Sequence, residues 1–488
     1  MREWRKALQP LAVRPDNVPL LFLPHPIPLP HLLLLENIGA HSGGLHLLQH
    51  RDFHPGPPAH LHIWYKSGKQ RAQFYSVNGL SETTNLLLLA YYFLPTNTSG
   101  VQRAVRLAKY LPECGVPTSV IASSSSGELP DSGIYHVPNR ATMNSPARLL
   151  GRIAQAVQRI LPYNEQLPWV PHAMEAARTL LSGSRVDVVL STSPPVATHL
   201  SALALKKRYG LTWVADFRDP ILGNPGRPRR WATPYDRALE RLIFRHADAV
   251  ISVTDAMAEE WKRRFPQYAS KIHVIWNGFD PTDALATCPL PVRNYRVMAH
   301  VGVLYSQRHP TALLASVDRL VAAGTIHPDS FRLRFVGPVQ DQDRLAAEPA
   351  FSSLITKGYI EMPGTLVPRR EANHEIATAD FLLLIDIVNL ANVGYTVPAK
   401  IFDYVLAGRP ILAVTDRNSP VERILHNSGI PYRCLYHQDA DSEIDNKLTE
   451  LLNLPLGPVS PSPWFLENFD GRRQAVKIAG IIKNLIKP

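Results

Sequence analysis

The stretch NLLLLAYYFLPTNTSGVQRAVRLAKYL (85–111) joins a short apolar run to an amphipathic segment through a polar turn that ends in glycine. The run NLLLLAYYF (85–93) is continuous rather than alternating, which is typical of a strand covered on both faces. In VQRAVRLAKYL (101–111) apolar residues recur at helical spacing. A strand, turn and helix in this order predict a parallel sheet between two layers of helices.

The same alternation continues along the chain and restarts once. Between the two series, NGFDPTDALATCPLPVRNY (277–295) has turn chemistry and predicts an interdomain linker. The predicted fold class is therefore α/β, with two doubly wound Rossmann-like domains that face a cleft at the carboxyl ends of their strands. The predicted strands after the first are TSVIA (118–122), VDVVLS (186–191), LTWVADF (211–217), ADAVISV (247–253), KIHVIW (271–276), RVMAHVG (296–302), FRLRFVG (331–337), GYIEM (358–362), ADFLLLID (379–386) and RPILAVT (409–415).

Residues 1–84 differ in composition from everything that follows. They hold ten prolines and eight of the 19 histidines, and they show neither helical nor strand periodicity. His54, His60 and His62 could in principle share a metal, but we interpret the segment as a low-order, non-catalytic leader or as the result of a start codon placed too far upstream. Prolines interrupt its apolar stretch (18–36), which excludes an ordinary membrane-spanning helix, and no secretory signal is evident.

The composition excludes several classes of protein. With 45% hydrophobic and 19% charged residues, the chain is neither disordered nor collagen-like. The net charge of +11 indicates acidic partners, and it leaves nucleotide phosphates, nucleic acid and an anionic membrane open. Cys114, Cys288 and Cys434 are widely spaced and form no CxxC pair, so they favour a reducing compartment. We expect a cytoplasmic protein.

Polar residues gather at predicted strand ends, where this architecture places ligands. In TNTSG (96–100), Gly100 allows close approach to the backbone, and the helix that follows begins with free N–H groups suited to an anion. A purely geometric role is the alternative for this glycine. In VADFRDP (214–220), Asp216 and Arg218 should point to one side and Asp219 to the other. A local ion pair with a helix cap is the alternative there, and we favour function.

The second half of the chain supplies a third candidate group. HVGVLYSQRHP leaves its strand at Gly302 and offers Arg308 to a phosphate. In VPAKIFDYVLAGRPILAV, Lys400 and Asp403 are i, i+3 neighbours on a predicted helix. A cation for phosphates and a carboxylate for ribose hydroxyls would suit a nucleoside diphosphate. An ordinary surface salt bridge between Lys400 and Asp403 is the structural alternative.

Three segments together resemble the retaining glycosyltransferases of family 4, in the branch that makes bacterial surface polysaccharides. They are YYFLPTNTSGVQRAVRLAKYLP, STSPPVATHLSALALKKRYGLTWVADFRDP with its DFRDPW-like end, and VPAKIFDYVLAGRPIL with a P-x-K-L/I-F-E/D-Y helix. The resemblance runs from Asn85 to the C-terminus. It implies the GT-B fold, with an acceptor-side domain over 85–285, a nucleotide-sugar-binding domain over 286–462, and a terminal helix (463–488) that crosses back to the first domain.

The resemblance also implies site residues. Asp219, with Asp216 and Arg218, matches the acceptor-side strand end and forms the catalytic group. Arg308 stands where the family has a diphosphate-binding lysine, and Asp403 stands at the ribose-binding second glutamate of the family's two-glutamate motif. The implied donor-binding residues are Gly100, Gly302, Arg308, Lys400 and Asp403.

Two positions depart from the family pattern. The arginine that usually follows the glycine of the first strand of the second domain is Val303, and the first glutamate of the pair is Tyr395. Both departures concern donor geometry and permit a weak or inactive homologue. Lys400 is expected to supply part of the lost positive charge.

The function implied is transfer of a sugar from a nucleotide-sugar to a saccharide or lipid-linked acceptor, with retention, in cell-surface polysaccharide biosynthesis. We expect no cofactor and no essential metal, because the fold does not generally need one and no GT-A-like DxD motif is evident. A non-catalytic homologue and a nucleotide-sugar 2-epimerase of the same fold are the alternatives. A two-lobed periplasmic binding protein would carry a secretion signal, and a nucleic-acid binder would show interleaved basic and aromatic residues.

A membrane surface is the remaining partner to consider. Arg103, Arg106 and Lys109 are predicted on one helical face, and GRPRRW (226–231) adds a cationic loop. These residues would contact anionic lipid at the inner face of the membrane if the acceptor is lipid-linked, or they are merely solvated.

Overall fold

The computed structural model describes two short segments before residue 84 and most of the chain after it. The described residues are 62–63, 75–76, 84–96, 100–124, 133–139, 166–224, 233–282, 290–305, 308, 310–327, 329–340, 342–365, 367–387 and 394–486. The chain divides into two units, Met1–Glu82 and Thr83–Pro488. In the first unit the strands His62–Ile63 and Tyr75–Ser76 pair antiparallel, and His54 and His60 lie outside the described residues.

The N-terminal lobe of the second unit is built on a sheet of seven parallel strands. The strands are β1 (Leu86–Ala90), β2 (Thr118–Ser124), β3 (Ile134–Pro138), β4 (Val188–Ser193), β5 (Thr212–Phe217), β6 (Ala249–Ser252) and β7 (Ile272–Val274). The helices are α1 (Val101–Tyr110), α2 (Trp169–Gly183), α3 (Ala197–Tyr209), α4 (Thr233–His246) and α5 (Asp255–Arg264), with 3-10 turns at Pro112–Cys114 and Pro266–Lys271. The strand order is β3-β2-β1-β4-β5-β6-β7, so the direction of winding reverses between β1 and β4.

The C-terminal lobe repeats this plan with six parallel strands. The strands are β8 (Arg296–Val301), β9 (Phe331–Val336), β10 (Ile360–Glu361), β11 (Phe381–Ile385), β12 (Ile411–Val414) and β13 (Tyr432–Leu435). The helices are α6 (Thr311–Ala322), α7 (Gln342–Ala346), α8 (Pro349–Thr356), α9 (Arg369–Thr378), α10 (Lys400–Ala407), α11 (Pro420–Ser428), α12 (Asp441–Leu452), α13 (Pro463–Phe469) and α14 (Gly471–Ile486). The strand order is β10-β9-β8-β11-β12-β13, with the reversal between β8 and β11.

Burial on both faces explains why leucine-rich runs form the central strands. Leu87 and Leu89 of β1 pack in a core cluster on one face of the sheet, and Leu86 and Leu88 pack in a cluster on the other. The C-terminal sheet likewise lies between two core clusters. A continuous apolar strand is what such a two-sided environment requires. The predicted fold class, α/β with two doubly wound Rossmann-like domains, is confirmed.

Some elements differ from the prediction. β3 and β13, which lie at sheet edges, are absent from the predicted strands. The C-terminal segment, predicted as one helix, consists of α13 and α14, because Asp470 leaves the helical conformation with ψ of 122°. The Asp470 carboxylate then accepts the backbone N–H of Arg472 at 2.7 Å and caps α14.

The last two helices pack on different lobes. Phe465 and Phe469 of α13 belong to a core cluster of the C-terminal lobe. Ile478 and Ile482 of α14 belong instead to a cluster that includes Leu86 of β1. The chain therefore returns to the N-terminal lobe at the junction of α13 and α14. Among the described helices, none combines the length and the apolar character needed to cross a membrane.

Candidate functional site

The two sheets each have a switch point, where neighbouring strands lead to helices on opposite faces. Ligands of open parallel sheets bind outside the carboxyl ends of the strands at this point. In the C-terminal lobe, Gly302 follows β8 and Asp386 follows β11, so both lie at the switch point. Gly302 has φ of +103°, a conformation that side-chain-bearing residues rarely adopt, and its N–H donates to the Val336 carbonyl at 2.7 Å.

Lys400, the first residue of α10, reaches this switch point. Its Nζ lies 3.5 Å from the position that a Cβ on Gly302 would occupy, and it donates a hydrogen bond of 2.8 Å to Nε2 of His300. Asp403 pairs with Arg369 rather than with Lys400. Both carboxylate oxygens of Asp403 accept hydrogen bonds of 2.8 Å from Arg369. The alternative of a surface salt bridge between Lys400 and Asp403 is therefore wrong.

Burial sets the electrostatics of the Lys400–His300 pair. Desolvation lowers the pKa of Lys400 well below its ordinary value, and the positive charge of Arg308 lowers it further. Desolvation also lowers the pKa of His300 well below its ordinary value, and Lys400 adds to this effect. His300 is therefore a neutral imidazole with no exposed surface.

Arg308 is a second cation in the same region. Its Nε is buried and has no hydrogen-bond partner among the residues that the structure describes. Desolvation lowers the pKa of Arg308, while the charges of Asp386 and, less strongly, Asp219 raise it. Desolvation raises the pKa of Asp386 to about 6, and Arg308 opposes this rise. Arg308 thus interacts with a carboxyl group of each lobe.

Arg218 connects the strand ends of the N-terminal lobe. Its guanidinium donates hydrogen bonds to the carbonyls of Ser193 at 3.0 Å and Pro194 at 2.7 Å, and to the carbonyl of Gly100. A Cβ on Gly100 would lie 2.8 Å from Nη1 of Arg218, so the glycine makes room for this contact. Desolvation raises the pKa of the half-buried Asp219, and Arg218 and then Arg308 lower it.

Asp216 lies inside the N-terminal lobe rather than on its surface. The side chain has no exposed surface, and its carboxylate accepts hydrogen bonds from Arg103 at 2.7 Å and from the Thr192 hydroxyl at 2.7 Å. Of the predicted catalytic group, Asp219 interacts electrostatically with Arg308, while Arg218 donates to backbone carbonyls and Asp216 binds Arg103 of α1.

The expected contact of the basic face of α1 with lipid or solvent is wrong for Arg103 and Arg106. Arg103 and Arg106 are only 4% and 7% exposed, because α14 and the interdomain linker pack over this helix. Lys109 is partly exposed and pairs with Asp280 at 3.1 Å. The other cationic segment considered for lipid contact, 226–231, lies outside the described residues.

Sequence reasoning missed three contributors to the site. His300 lies in the interior of a predicted strand. A histidine at such a position is ordinarily part of the core, so its place in the sequence does not indicate a functional role. Asp386 ends the predicted strand ADFLLLID, and a carboxylate directly after an apolar run could have identified it. Arg369 could not have been found, because its partner Asp403 follows in another helix.

Tyr395, at the position of the family's first glutamate, lies where the two lobes meet. Its backbone carbonyl accepts a hydrogen bond of 3.5 Å from the Thr254 hydroxyl, and its side chain packs against the core of the N-terminal lobe. An ion pair of 2.6 Å between Arg423 and Asp255 joins the lobes nearby. Tyr395 thus makes an aromatic contact between the lobes at the position where the sequence resemblance implied a carboxylate. Among the described residues, no group of three His, Cys, Asp or Glu side chains is arranged to hold a metal.

Comparison with known proteins agrees with this architecture. Residues 99–283 match the family model described as Glycosyltransferase Family 4. No curated protein matches the chain. Among solved structures, a sucrose-phosphate synthase from Thermosynechococcus elongatus aligns with a TM-score of 0.52 at 12% identity, covering 82% of this chain and 97% of that one.

Two further structures show the same fold. The N-terminal domain of a Candida albicans trehalose-6-phosphate phosphatase aligns with a TM-score of 0.55 at 11% identity, covering 83% of this chain and 97% of that one. A structure described as trehalose-6-phosphate from E. coli bound with UDP-2-fluoro glucose aligns with a TM-score of 0.50 at 12% identity, with 82% and 97% covered. At these identities the likeness establishes the fold, and the predicted GT-B architecture is confirmed.

Proposed function

We propose that this GT-B protein, which matches the model of glycosyltransferase family 4 over residues 99–283, transfers a sugar from a nucleoside-diphosphate donor to a saccharide or lipid-linked acceptor with retention. The observation that carries the proposal is the pair of cations at the switch point of the C-terminal sheet. Arg308 has a buried Nε without a partner, and Lys400 is bonded only to a neutral imidazole among the described residues.

Two basic side chains in a desolvated position favour an anionic ligand. Removing a charge from water costs free energy unless a counter-charge is bound. A donor diphosphate would supply that counter-charge to both Arg308 and Lys400. Because Gly302 has no side chain, a phosphate could approach the backbone and the Lys400 ammonium together. This geometry would allow donor binding although Val303 stands where the resembled family has an arginine.

The N-terminal lobe would complete the reaction centre. Gly100 precedes α1, whose first N–H groups are available to an anion. Asp219 interacts with Arg308 across the lobes, and its raised pKa suits a carboxyl group that hydrogen-bonds an acceptor hydroxyl. In the proposed reaction the acceptor attacks the face that the leaving group vacates, through an oxocarbenium-like state. Negative charge then develops on the diphosphate, where Arg308 and Lys400 stabilise it.

The biological role, the location and the membrane contact of the protein are also part of the proposal. Surface-polysaccharide synthesis, a cytoplasmic location and contact with an anionic membrane rest on the family resemblance and on the net charge of +11. The burial of Arg103 and Arg106 removes one support for membrane contact. We propose that the reaction needs neither a cofactor nor a metal.

Calorimetric titration of the full chain with UDP, GDP and ADP, first without metal and then with Mg²⁺, tests the proposal. Micromolar binding of one nucleotide without metal is expected and would name the donor class. Incubation with the corresponding nucleotide-sugar, with and without acceptors, then separates the activities, because a 2-epimerase turns over without an acceptor. Absence of binding to all three nucleotides would contradict the proposal and indicate a non-catalytic homologue.

A further inference from the structure

We propose that His300 is the residue that positions the Lys400 ammonium for the donor diphosphate, an inference that rests on the proposed function. His300 belongs to none of the motifs that carry the family resemblance. It acts through Lys400 and is therefore a positioning residue.

The hydrogen bonds of His300 define which nitrogen carries the proton. Nδ1 lies 3.0 Å from the backbone carbonyl of Leu383 in the neighbouring strand β11. A carbonyl oxygen can only accept, so Nδ1 is the protonated nitrogen and Nε2 presents a lone pair. Nζ of Lys400 donates to that lone pair at 2.8 Å. The backbone of β11 thus holds the imidazole in the one orientation that accepts from Lys400.

This acceptor selects one conformation of a flexible side chain. A lysine ammonium sits at the end of a four-carbon stem and has three donors. With one donor held by His300, Nζ stays beside Gly302, and two donors remain for a ligand. Pre-organisation of this kind removes the entropic cost of ordering the lysine when the ligand binds.

A neutral acceptor also leaves Lys400 without a counter-charge from His300. A carboxylate at this position would hold Nζ equally well, but it would neutralise the ammonium and compete with a diphosphate for it. Because His300 is fully buried, it remains neutral and gives Lys400, whose own pKa is lowered by burial, no counter-charge. The choice of histidine therefore combines orientation of the lysine with a site in which a bound anion would favour the charged ammonium.

The alternative is that His300 only fills space in the core. Its ring lies 6.2 Å from the ring of Phe335, a contact that a purely structural histidine would also make. Substitutions of a packing residue would alter the stability of the fold, but they would leave the diphosphate affinity of the folded protein unchanged.

Three substitutions of His300 separate these roles. His300→Gln keeps a neutral acceptor, His300→Leu removes it, and His300→Glu replaces it with an anionic one. Each full-length variant is titrated with inorganic pyrophosphate and with UDP, GDP and ADP, and its unfolding is followed in parallel. We expect affinity for pyrophosphate within about threefold of wild type for Gln, about tenfold weaker for Leu and about 100-fold weaker for Glu.

A double-mutant cycle measures the coupling between His300 and Lys400 in diphosphate affinity. A residue with a purely structural role would show no such coupling. If His300 acts through Lys400, His300→Leu should cost little further affinity in a Lys400→Met background. A loss of affinity that persists undiminished in that background would overturn the inference. If the Leu variant does not fold, equal affinities of the Gln and Glu variants would overturn it instead.

The outcomes also separate this inference from the proposed function. If the wild type binds a nucleoside diphosphate or pyrophosphate and His300→Leu binds it equally well, the role of His300 is overturned while the proposed function stands. If the wild type binds none of these ligands, both are overturned.

Discussion

Arg103 of α1 and Asp216 of β5 form an ion pair that is closed to solvent, with 2.7 Å between Nη2 and Oδ1 and exposures of 4% and 0%. Arg103 also donates to the Ile275 carbonyl at 3.1 Å and to the Trp276 carbonyl at 2.8 Å. The pair thereby ties the helix after Gly100 to the strand that leads into Asp219 and to the chain after β7. Its main effect should be on folding, because breaking one partner leaves an unpaired buried charge.

Asp216→Asn should therefore lower the free energy of unfolding by about 3 kcal/mol, measured by urea denaturation. Arg178→Ala is the matched control, because its pair with Glu175 is exposed and should change stability by less than about 0.5 kcal/mol. Unchanged stability of Asp216→Asn would contradict this role of the ion pair in folding.

Arg308→Ala should weaken binding of the nucleoside diphosphate and strongly reduce turnover. The loss of a charge-assisted contact of this kind corresponds to about 10- to 100-fold in affinity. Isothermal titration and initial rates check this expectation. Arg433→Ala, which removes an arginine that pairs with the exposed Glu450, is the control and should bind as the wild type does. Near-normal turnover of Arg308→Ala would remove this arginine from the mechanism.

Asp386 should make nucleotide binding depend on pH. Its pKa of about 6 means that the carboxyl group is neutral below pH 6 and anionic above it. The anionic form competes with a diphosphate for Arg308. Relative to Asp386→Asn, the wild-type dissociation constant should therefore rise about three- to tenfold between pH 5 and pH 7.5. Comparison with Asp386→Asn removes the contribution of the nucleotide's own titration. A ratio of wild-type to variant dissociation constants that does not change with pH would disprove the competition.

The same group should affect stability in a defined direction. Because the pKa of Asp386 is raised in the folded state, the native protein binds this proton more tightly than the unfolded chain does. Its contribution to stability is complete below about pH 4 and is lost as pH rises through 6. Urea denaturation between pH 4 and pH 7 should show this loss in the wild type and a smaller one in Asp386→Asn.

Gly302→Ala should reduce nucleotide affinity beyond its effect on stability. The residue has φ of +103°, and a Cβ there would lie 3.5 Å from the Lys400 ammonium, in the space proposed for a phosphate. Gly324→Ala is a matched control, because Gly324 also has a positive φ, +73°, and a Cβ added there would have no neighbouring atom within 4 Å. Both variants should lose about 1 kcal/mol of stability, and only the first should lose affinity. Equal affinity of the two variants would argue against phosphate approach at Gly302.

Strand prediction from the sequence succeeded in the interior of each sheet and at the edge strands β7 and β10, and it failed at the opposite edges, β3 and β13. Central strands such as β1 are buried on both faces and therefore read as continuous apolar runs. β3 and β13 each border only one strand and remain partly exposed, so IYHVP and YRCL carry a mixed polar pattern. A pattern based on apolar runs cannot separate such edge strands from loops.

The basic face assigned to α1 shows a different limit. Helical periodicity correctly places Arg103 and Arg106 near one another, but it cannot show what covers them. The covering residues include Gly471, at the start of α14 and more than 300 residues later in the chain. Exposure of a charged face therefore depends on contacts between segments that are distant in sequence.

Local sequence was sufficient for the architecture of this protein, because strands buried on both faces and amphipathic helices are encoded by the spacing of neighbouring residues. Local sequence also located the polar strand ends at which the candidate site lies. The partners of the charged groups in the candidate site were decided by the tertiary structure alone. Lys400 bonds to His300 rather than to Asp403, and Asp403 bonds to Arg369. Desolvation and long-range packing determine which charges meet, and neither is visible in the spacing of residues along the chain.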